Sequence, residues 1–296
     1  MRVTLVVNPF ATRVSEERLA EVREELDRAA ELEVVLTERP GHATELVTEA
    51  CRSGAEAVVV FSGDGGFNEG LNGLECDLPI GFLPGGGTSV LARALGLPTD
   101  PVEAARLLAE AIAAGRTRRI TVGRVNGRRF AFGAGVGLDA EAVRRVNALG
   151  RRADGKRPGD LAFALAIVRA LAAQRGHVEP QLEVAGLGRA AIAFVANSNP
   201  YTYAKRLPLP IAPEADFELG LDVVAPVRIR RRTLPANALR LLTGHVRHGP
   251  YIYGHDLDRV EITCDSPMPL HADGEDLGDV EHVIFEAERA AVSVLV

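Results

Sequence analysis

Lysine is almost missing from this chain: of its 34 basic residues only Lys156 and Lys205 are lysines, and the rest are arginines. Genomic base composition accounts for such a bias, but the bias excludes one nucleotide-binding device. A phosphate loop of the G-x-x-x-x-G-K-[ST] type needs a lysine after its glycines, and none stands there. Bound phosphate would have to rest on backbone amides, a metal ion or arginine. Cysteine is scarce too. Cys51, Cys76 and Cys264 are odd in number, widely spaced and in no C-x-x-C arrangement, which gives no zinc site and fits a reducing compartment. Long apolar runs are absent. The longest, Leu161–Ala173, has 13 residues and contains Arg169, against the roughly 20 that a spanning helix requires. Met1–Val7 lead straight into a strand pattern with no basic segment and apolar signal core, so a cytoplasmic protein is expected. An excess of positive charge is also lacking: the net charge of −6 argues against a general nucleic-acid partner.

What is present is a globular composition, 47% hydrophobic and 25% charged, which excludes disorder of the whole chain. At 296 residues the length suits two domains of roughly 100–200 residues each. The first 115 residues alternate strand and helix patterns. Arg2–Val7 reads as a buried strand, Ser15–Ala30 as a helix with Ser15 as N-cap, and Glu33–Leu36 as a short strand. His42–Arg52 is a helix, Ala57–Phe61 and Ile80–Leu83 are strands, and Val102–Ala114 is an amphipathic helix. This alternation predicts a parallel α/β nucleotide-binding domain over residues 1–117. Beyond it, strand-like runs crowd together at Arg119–Val125, Arg128–Gly133, Ala190–Ala196, Leu221–Ala225, Val260–Cys264 and Ala290–Val296. Residues 118–296 are therefore expected to form a β-rich, β-sandwich-like domain with helical insertions near Pro158–Gln174 and Thr233–His245. The last run could return to the first domain, or pair between chains in a homodimer.

Two glycine-rich turns carry the chemistry. Ser62–Gly70 (SGDGGFNEG) follows a buried strand and sets Asp64 among glycines, with Asn68 and Glu69 opening a helix. Leu83–Pro98 (LPGGGTSVLARALGLP) sends Gly85, Gly86 and Gly87 into Thr88 at the expected start of a helix. Glycines at strand ends let the backbone approach phosphate oxygens and point N–H groups at them, and a helix N-terminus favours anions. Thr88 has a plainer reading beside this one, as a simple N-cap.

These segments resemble the diacylglycerol kinase catalytic-domain family of bacterial-type lipid kinases, which shares its nucleotide-binding fold with NAD kinases. The family's N-P strand end is similar to Asn8-Pro9, and its threonine after the second strand to Thr37, followed by Pro40-Gly41-His42. Its G-G-D-G-T-x-N-E signature resembles SGDGGFNE, and P-G-G-[ST]-T-N-x-x-A-R resembles PGGGTSVLAR. G-x-G-x-D-A reappears at Gly135–Ala140, and D-G-E at Asp273-Gly274-Glu275. The resemblance implies an ATP-dependent phosphotransferase acting on a lipid hydroxyl at the membrane surface, with ATP and Mg²⁺ as cofactors. It makes Asp64 the carboxylate that holds Mg²⁺–ATP and Glu275 the general base. Asn8, Pro9, Thr12, Thr37, Gly63, Gly65, Gly66, Asn68, Glu69, Gly86, Gly87 and Thr88 would line the nucleotide site. Arg13 or Arg93 would help offset phosphate charge.

The chain departs from the pattern at three places: Ser62 replaces a glycine, Gly66 the signature threonine, and Ser89 an asparagine. Such changes keep open a kinase with a non-lipid alcohol acceptor, or a nucleotide- or lipid-binding protein without catalysis. The family's acidic D-D-G cluster is similar only in part to Glu218-Leu219-Gly220, so no structural metal is expected, and Asp216 and Asp222 read as exposed carboxylates. Two basic clusters, Arg144–Arg157 and Arg228–Arg232, precede apolar helical stretches, as in segments that dock on anionic lipid; a solvated charged face with core-facing leucines and alanines is the plainer reading. His271 reads as a structural histidine.

Overall fold

The structure, a computed structural model, describes residues 1–150, 166, 169, 176–204, 207–247 and 249–296. The chain divides into two compact units: Met1–Ile120 with Ala290–Val296, and Thr121–Arg289.

The first unit is built from β1 (Arg2–Val7), α1 (Glu16–Asp27), β2 (Glu31–Leu36), α2 (His42–Ser53), β3 (Ala57–Ser62) and α3 (Asp64–Gly73). It continues with β4 (Ile80–Pro84), α4 (Val90–Ala94), α5 (Pro101–Ala114) and the start of β5 (Thr117–Val125). The strands run parallel in the order β2-β1-β3-β4, with the tail of the last strand adding beside β4 through Val294 opposite Ile80. Every residue of β3 and β4 is buried, because helices cover both faces of such a sheet and β-branched runs suit that environment. Phe67 of α3 meets Phe82 of β4 edge to face, centroids 5.1 Å apart. Capping sets the helix ends. Ser15 accepts from the Arg18 amide at 3.2 Å. Asp100 accepts from the amides of Val102 and Glu103 ahead of α5, which ends at Gly115 with φ 62°.

The second unit holds β6 (Arg128–Phe130), β7 (Gly133–Val136), α6 (Leu138–Ala148), β8 (His177–Val178), β9 (Leu182–Val184), β10 (Gly188–Ala190) and β11 (Ala193–Ala196). There follow β12 (Thr202–Ala204), β13 (Leu207–Leu209), β14 (Leu221–Pro226), β15 (Ile229–Arg230), α7 (Leu234–Thr243), β16 (Tyr251–Leu257), β17 (Arg259–Ala272) and β18 (Glu275–Leu295). Its sheet is antiparallel, in the order β16-β14-β11-β7-β17-β18. Val125, Phe130, Val195, Leu221, Ile262, Leu270 and Phe285 form one core. Ile192, Phe194, Tyr201, Val224, Ile229 and Val246 form a second on the other face, against which Leu234 and Leu241 of α7 pack.

The expected fold class is therefore present, with local corrections. Arg128–Gly133 and Ala190–Ala196 each break into two strands, and Val260–Cys264 is only the start of a long hairpin, β17–β18. Helix α6 had no counterpart in the sequence reading, whereas α7 is the helix expected at Thr233–His245. Of the helix expected near Pro158–Gln174 only Ala166 and Arg169 are described, both helical, and the residues from Arg151 to Arg157 lie outside the described residues. Cys51 and Cys76 are joined in a disulfide, correcting the expectation of reduced thiols. A separation of 25 residues conceals their proximity, which follows from the packing of α2 against α3. Cys264 is free, and burial pushes its thiol up to about 11. Asp222, expected at the surface, is fully buried and accepts from Tyr253 Oη, His255 Nδ1 and the Asp256 amide. Asp216 is exposed, as expected, and accepts from the Glu218 amide.

Removal of the α5 cap tests this account of the first unit. Asp100→Ala is expected to lower unfolding free energy by about 1 kcal/mol, read as a shifted urea midpoint with an unchanged slope.

Candidate functional site

In the order β2-β1-β3-β4 the chain reverses direction across the sheet between β1 and β3. Ligands of open parallel sheets gather outside the carboxyl ends of strands at such a switch point. Here that position is occupied by Asn8, following β1, and by the glycine turn that follows β3. The Asn8 amide donates to the Phe61 carbonyl at 3.0 Å, its Nδ2 donates to Ser62 Oγ at 3.2 Å, and its Oδ1 accepts from the Phe10 amide. Asn8 thus ties two strand ends together. Pro9 and Thr12 are exposed in the turn beyond it, and buried Thr37 donates its amide to the Val7 carbonyl at 2.8 Å.

The two glycine turns lie against each other. The Gly85 amide donates to the Ser62 carbonyl at 2.8 Å, and the Arg13 amide to the Gly85 carbonyl at 2.9 Å. A Cβ placed on Gly86 would sit 2.8 Å from Gly63 Cα, so a side chain there would push the turns apart. Asp64, half-buried in the first turn of α3, reaches across and accepts from the Leu91 amide at 3.2 Å. Gly65 follows it in the first turn of α3, and Gly87 and Thr88 are accessible in the second turn. The expected helix start shifts by one residue. Ser89, not Thr88, is the N-cap of α4, in the left-handed conformation at φ 49°. Asparagine tolerates that region better than serine, which accounts for the residue in the family pattern.

Two departures that look independent in sequence are one packing feature. A Cβ on Gly66 would fall on Ser62 Oγ and 2.6 Å from Ser62 Cβ. The hydroxyl missing at position 66 is therefore matched by one at 62, buried and accepting from Asn8. Asn68 is buried and accepts from the Asn72 side chain. Glu69 accepts from the amides of Gly41 and Ala43 at 2.9 and 3.2 Å, so its carboxylate fixes the first turn of α2. Arg13 donates to the Thr99 carbonyl at 2.6 Å. Among the described residues no group of three or more His, Cys, Asp or Glu could hold a metal. Asp64 fits a cation bound as magnesium commonly is, through one or two carboxylates with the remaining ligands from phosphates and water.

The remaining predicted residue, Glu275, belongs to the second unit. Asp273 and Gly274, at φ 49° and 78°, form a two-residue hairpin turn between β17 and β18, where positive φ favours Asp-Gly. The Asp273 carboxylate is buried and accepts from the amides of Ala131, Phe132 and Gly133 at 2.6, 3.0 and 3.2 Å. Its task is to hold the turn onto the β6–β7 link. Glu275, one residue on and partly exposed, accepts from Arg128 Nη2 at 2.5 Å. Sequence reading missed Arg128 because it lies 147 positions away from Glu275.

It also missed a buried triad. His271 Nε2 lies 2.7 Å from Asp139 Oδ2, and Tyr201 Oη donates to the same oxygen at 2.9 Å. Gly135 leaves the room: a Cβ there would sit 2.8 Å from Asp139 Oδ2 and 2.9 Å from His271 Nε2. Burial pushes the Asp139 carboxyl up, but attraction to the His271 ring and the hydrogen bonds from His271 and Tyr201 outweigh it and hold the carboxyl below its usual value. Burial and the Asp139 charge push the Tyr201 hydroxyl well up.

Two outcomes check these assignments. Gly66→Thr alone is expected to destabilise the first unit by about 1–3 kcal/mol through overpacking. Ser62→Gly with Gly66→Thr should recover most of that loss, read as coupling in a double-mutant cycle of thermal melts. A carboxyl held down in the folded state contributes stability above its unfolded pKa and loses it as pH falls through the folded value. Asp139→Asn should therefore be less stable at pH 7 and show a shallower loss of stability on acidification below about pH 4, measured by urea titration at several pH values.

Comparison with known proteins accords with both units. Residues 2–125 match the diacylglycerol kinase catalytic domain, and residues 133–296 match the YegS C-terminal NAD kinase beta sandwich-like domain. A diacylglycerol kinase of Bacillus subtilis (strain 168) is 27% identical over 283 residues, covering 93% of this chain and 89% of its own. One of Staphylococcus carnosus (strain TM300) is 25% identical over 288 residues, covering 93% and 88%. A solved structure described as a diacylglycerol kinase from Bacillus anthracis str. Sterne superposes with a TM-score of 0.72 at 18% identity, covering 99% of this chain and 96% of that one, which shows a shared fold. With one family domain over residues 2–125 and the other over more than half of the whole, the chain belongs to the diacylglycerol kinase catalytic-domain family of bacterial-type lipid kinases.

Proposed function

We propose that this protein is an ATP-dependent lipid kinase, which transfers the γ-phosphoryl group of ATP to the hydroxyl of diacylglycerol or a related lipid. The observation that carries the reading is the pair of touching glycine turns at the β1/β3 switch point, bridged by Asp64. In a chain without a phosphate-loop lysine, backbone amides can cradle phosphate where side chains are excluded. The nucleotide site would draw on Asn8, Pro9, Thr12, Thr37, Gly63, Gly65, Gly66, Gly86, Gly87 and Thr88, with Asn68 and Glu69 shaping the helices behind them. A magnesium ion held by Asp64 and the phosphates would neutralise charge developing on the transferred group. Glu275 is the general base: it takes the proton of the lipid hydroxyl as that oxygen bonds to the γ-phosphorus and the bond to the ADP oxygen breaks. Arg128 holds the Glu275 carboxylate in position.

The test is transfer of labelled γ-phosphate from ATP and Mg²⁺ to a lipid panel in mixed micelles. Asp64→Asn and Glu275→Gln keep an oxygen able to accept from Leu91 and Arg128 but lose the charge. Each is expected to lower turnover by at least about 10²-fold, the scale of general acid–base catalysis, with unchanged melting. Turnover near the wild-type rate in either variant would remove that residue from its role, and labelling of soluble alcohols alone would remove the lipid acceptor.

A further inference from the structure

Helix α7 is apolar on two sides. Leu234 and Leu241 face the core of the second unit, and Asn237 between them is buried. Pro235, Ala238, Leu239 and Leu242 follow the spacing i, i+3, i+4, i+7, and all four are exposed. Such spacing draws one continuous stripe along a helix. Leu239 is 62% and Leu242 47% exposed, and Leu207 on the neighbouring strand β13 is 63% exposed. Among the described residues this stripe packs on neither core cluster, which leaves its side chains open to another occupant.

The charge around the stripe says which. The 33 residues from Val223 to His255 contain no aspartate or glutamate, in a chain with 40 of them among 296 residues. The same segment carries Arg228, Arg230, Arg231, Arg232, Arg240 and Arg247. Arg247 pairs with Glu214, and Arg230 lies 3.8 Å from Glu179. Among the described residues no carboxylate forms an ion pair with Arg231, Arg232 or Arg240, and Arg228 acts on Glu179 through its charge without a close contact. The two described members of the other basic cluster differ: Arg144 is engaged by Asp276 and Asp279, and Arg145 by Glu141.

We propose that α7 and the arginines leading into it dock on the surface of an anionic lipid bilayer. The proposal rests on the lipid-kinase reading for its purpose, but not for its physics. A leucine stripe flanked by an excess of arginines over carboxylates is the composition of a helix that lies in the interfacial plane, its apolar side among acyl chains and its cations among phosphates. A second copy of this chain is the wrong occupant. A twofold contact sets the same patch against itself, bringing the arginines of both copies together. A protein partner would bring about 800 Å² of its own surface to a specific contact, and the stripe offers four side chains.

The experiment is co-sedimentation of the full chain with phosphatidylcholine vesicles, with and without phosphatidylglycerol and free of diacylglycerol. The wild type should partition onto the anionic vesicles, less so as salt is raised. Leu239→Gln/Leu242→Gln and Arg231→Gln/Arg232→Gln should each cut the partition coefficient about tenfold or more, an effect within reach of two residues. Thermal melts confirm that the variants fold. Equal binding of the wild type to both vesicles, no binding, or wild-type binding by both variants would overturn the proposal. So would a wild-type dimer on gel filtration that Leu239→Gln/Leu242→Gln converts to monomer. Transfer to a short-chain diacylglycerol dissolved as monomers should be the same in all three proteins. If the wild type binds anionic vesicles and fails that assay, docking stands and the kinase reading falls.

Discussion

The contact on which the first unit's site depends is the approach of Gly63 to Gly86, two backbones with no side chain between them. Parallel strands of one sheet end side by side, and the turns that leave them compete for the same space. Asn8 fixes the β1 and β3 ends, the Gly85 amide closes the gap from β4, and Asp64 reaches the Leu91 amide. Together they hold main-chain amides at the mouth of a buried sheet, where desolvation strengthens their pull on anions.

The second unit uses the opposite economy. Its candidate residue stands on a tight hairpin, and the rigidity of that hairpin comes from buried charge. Asp273 is satisfied by three amides, which keeps an anion stable in a protein interior. Below it the Asp139–His271–Tyr201 cluster fills the space that Gly135 leaves open. The glycines of the G-x-G-x-D-A element thus have separate tasks. Gly135 admits the triad, and Gly137, at φ 101°, turns the chain into α6.

Much of the first unit was legible in the sequence because apolar β-branched runs end abruptly in glycines, and strand and helix periods alternate cleanly. The second unit was harder. Strand β18 carries acidic residues along most of its length and lacks a clean alternation, and prolines interrupt β17. The motif positions of the candidate site could be found in the sequence, since spacing and residue type mark them. Their partners could not. Arg128 beside Glu275, the amides around Asp273 and the disulfide between Cys51 and Cys76 all join distant segments, and only folding makes them neighbours. Asp222 was misjudged for the same reason, since Tyr253 and His255 cover it from another strand.

The crowding between Ser62 and Gly66 constrains the order in which this sequence could have arisen. A relative bearing G-G-D-G-T reaches S-G-D-G-G by two substitutions. On this backbone, gaining the serine first puts two side chains into one space. Losing the threonine first leaves a small void but no clash. The open path runs through a doubly glycine intermediate, so either residue of the present pair restricts which changes the other can accept.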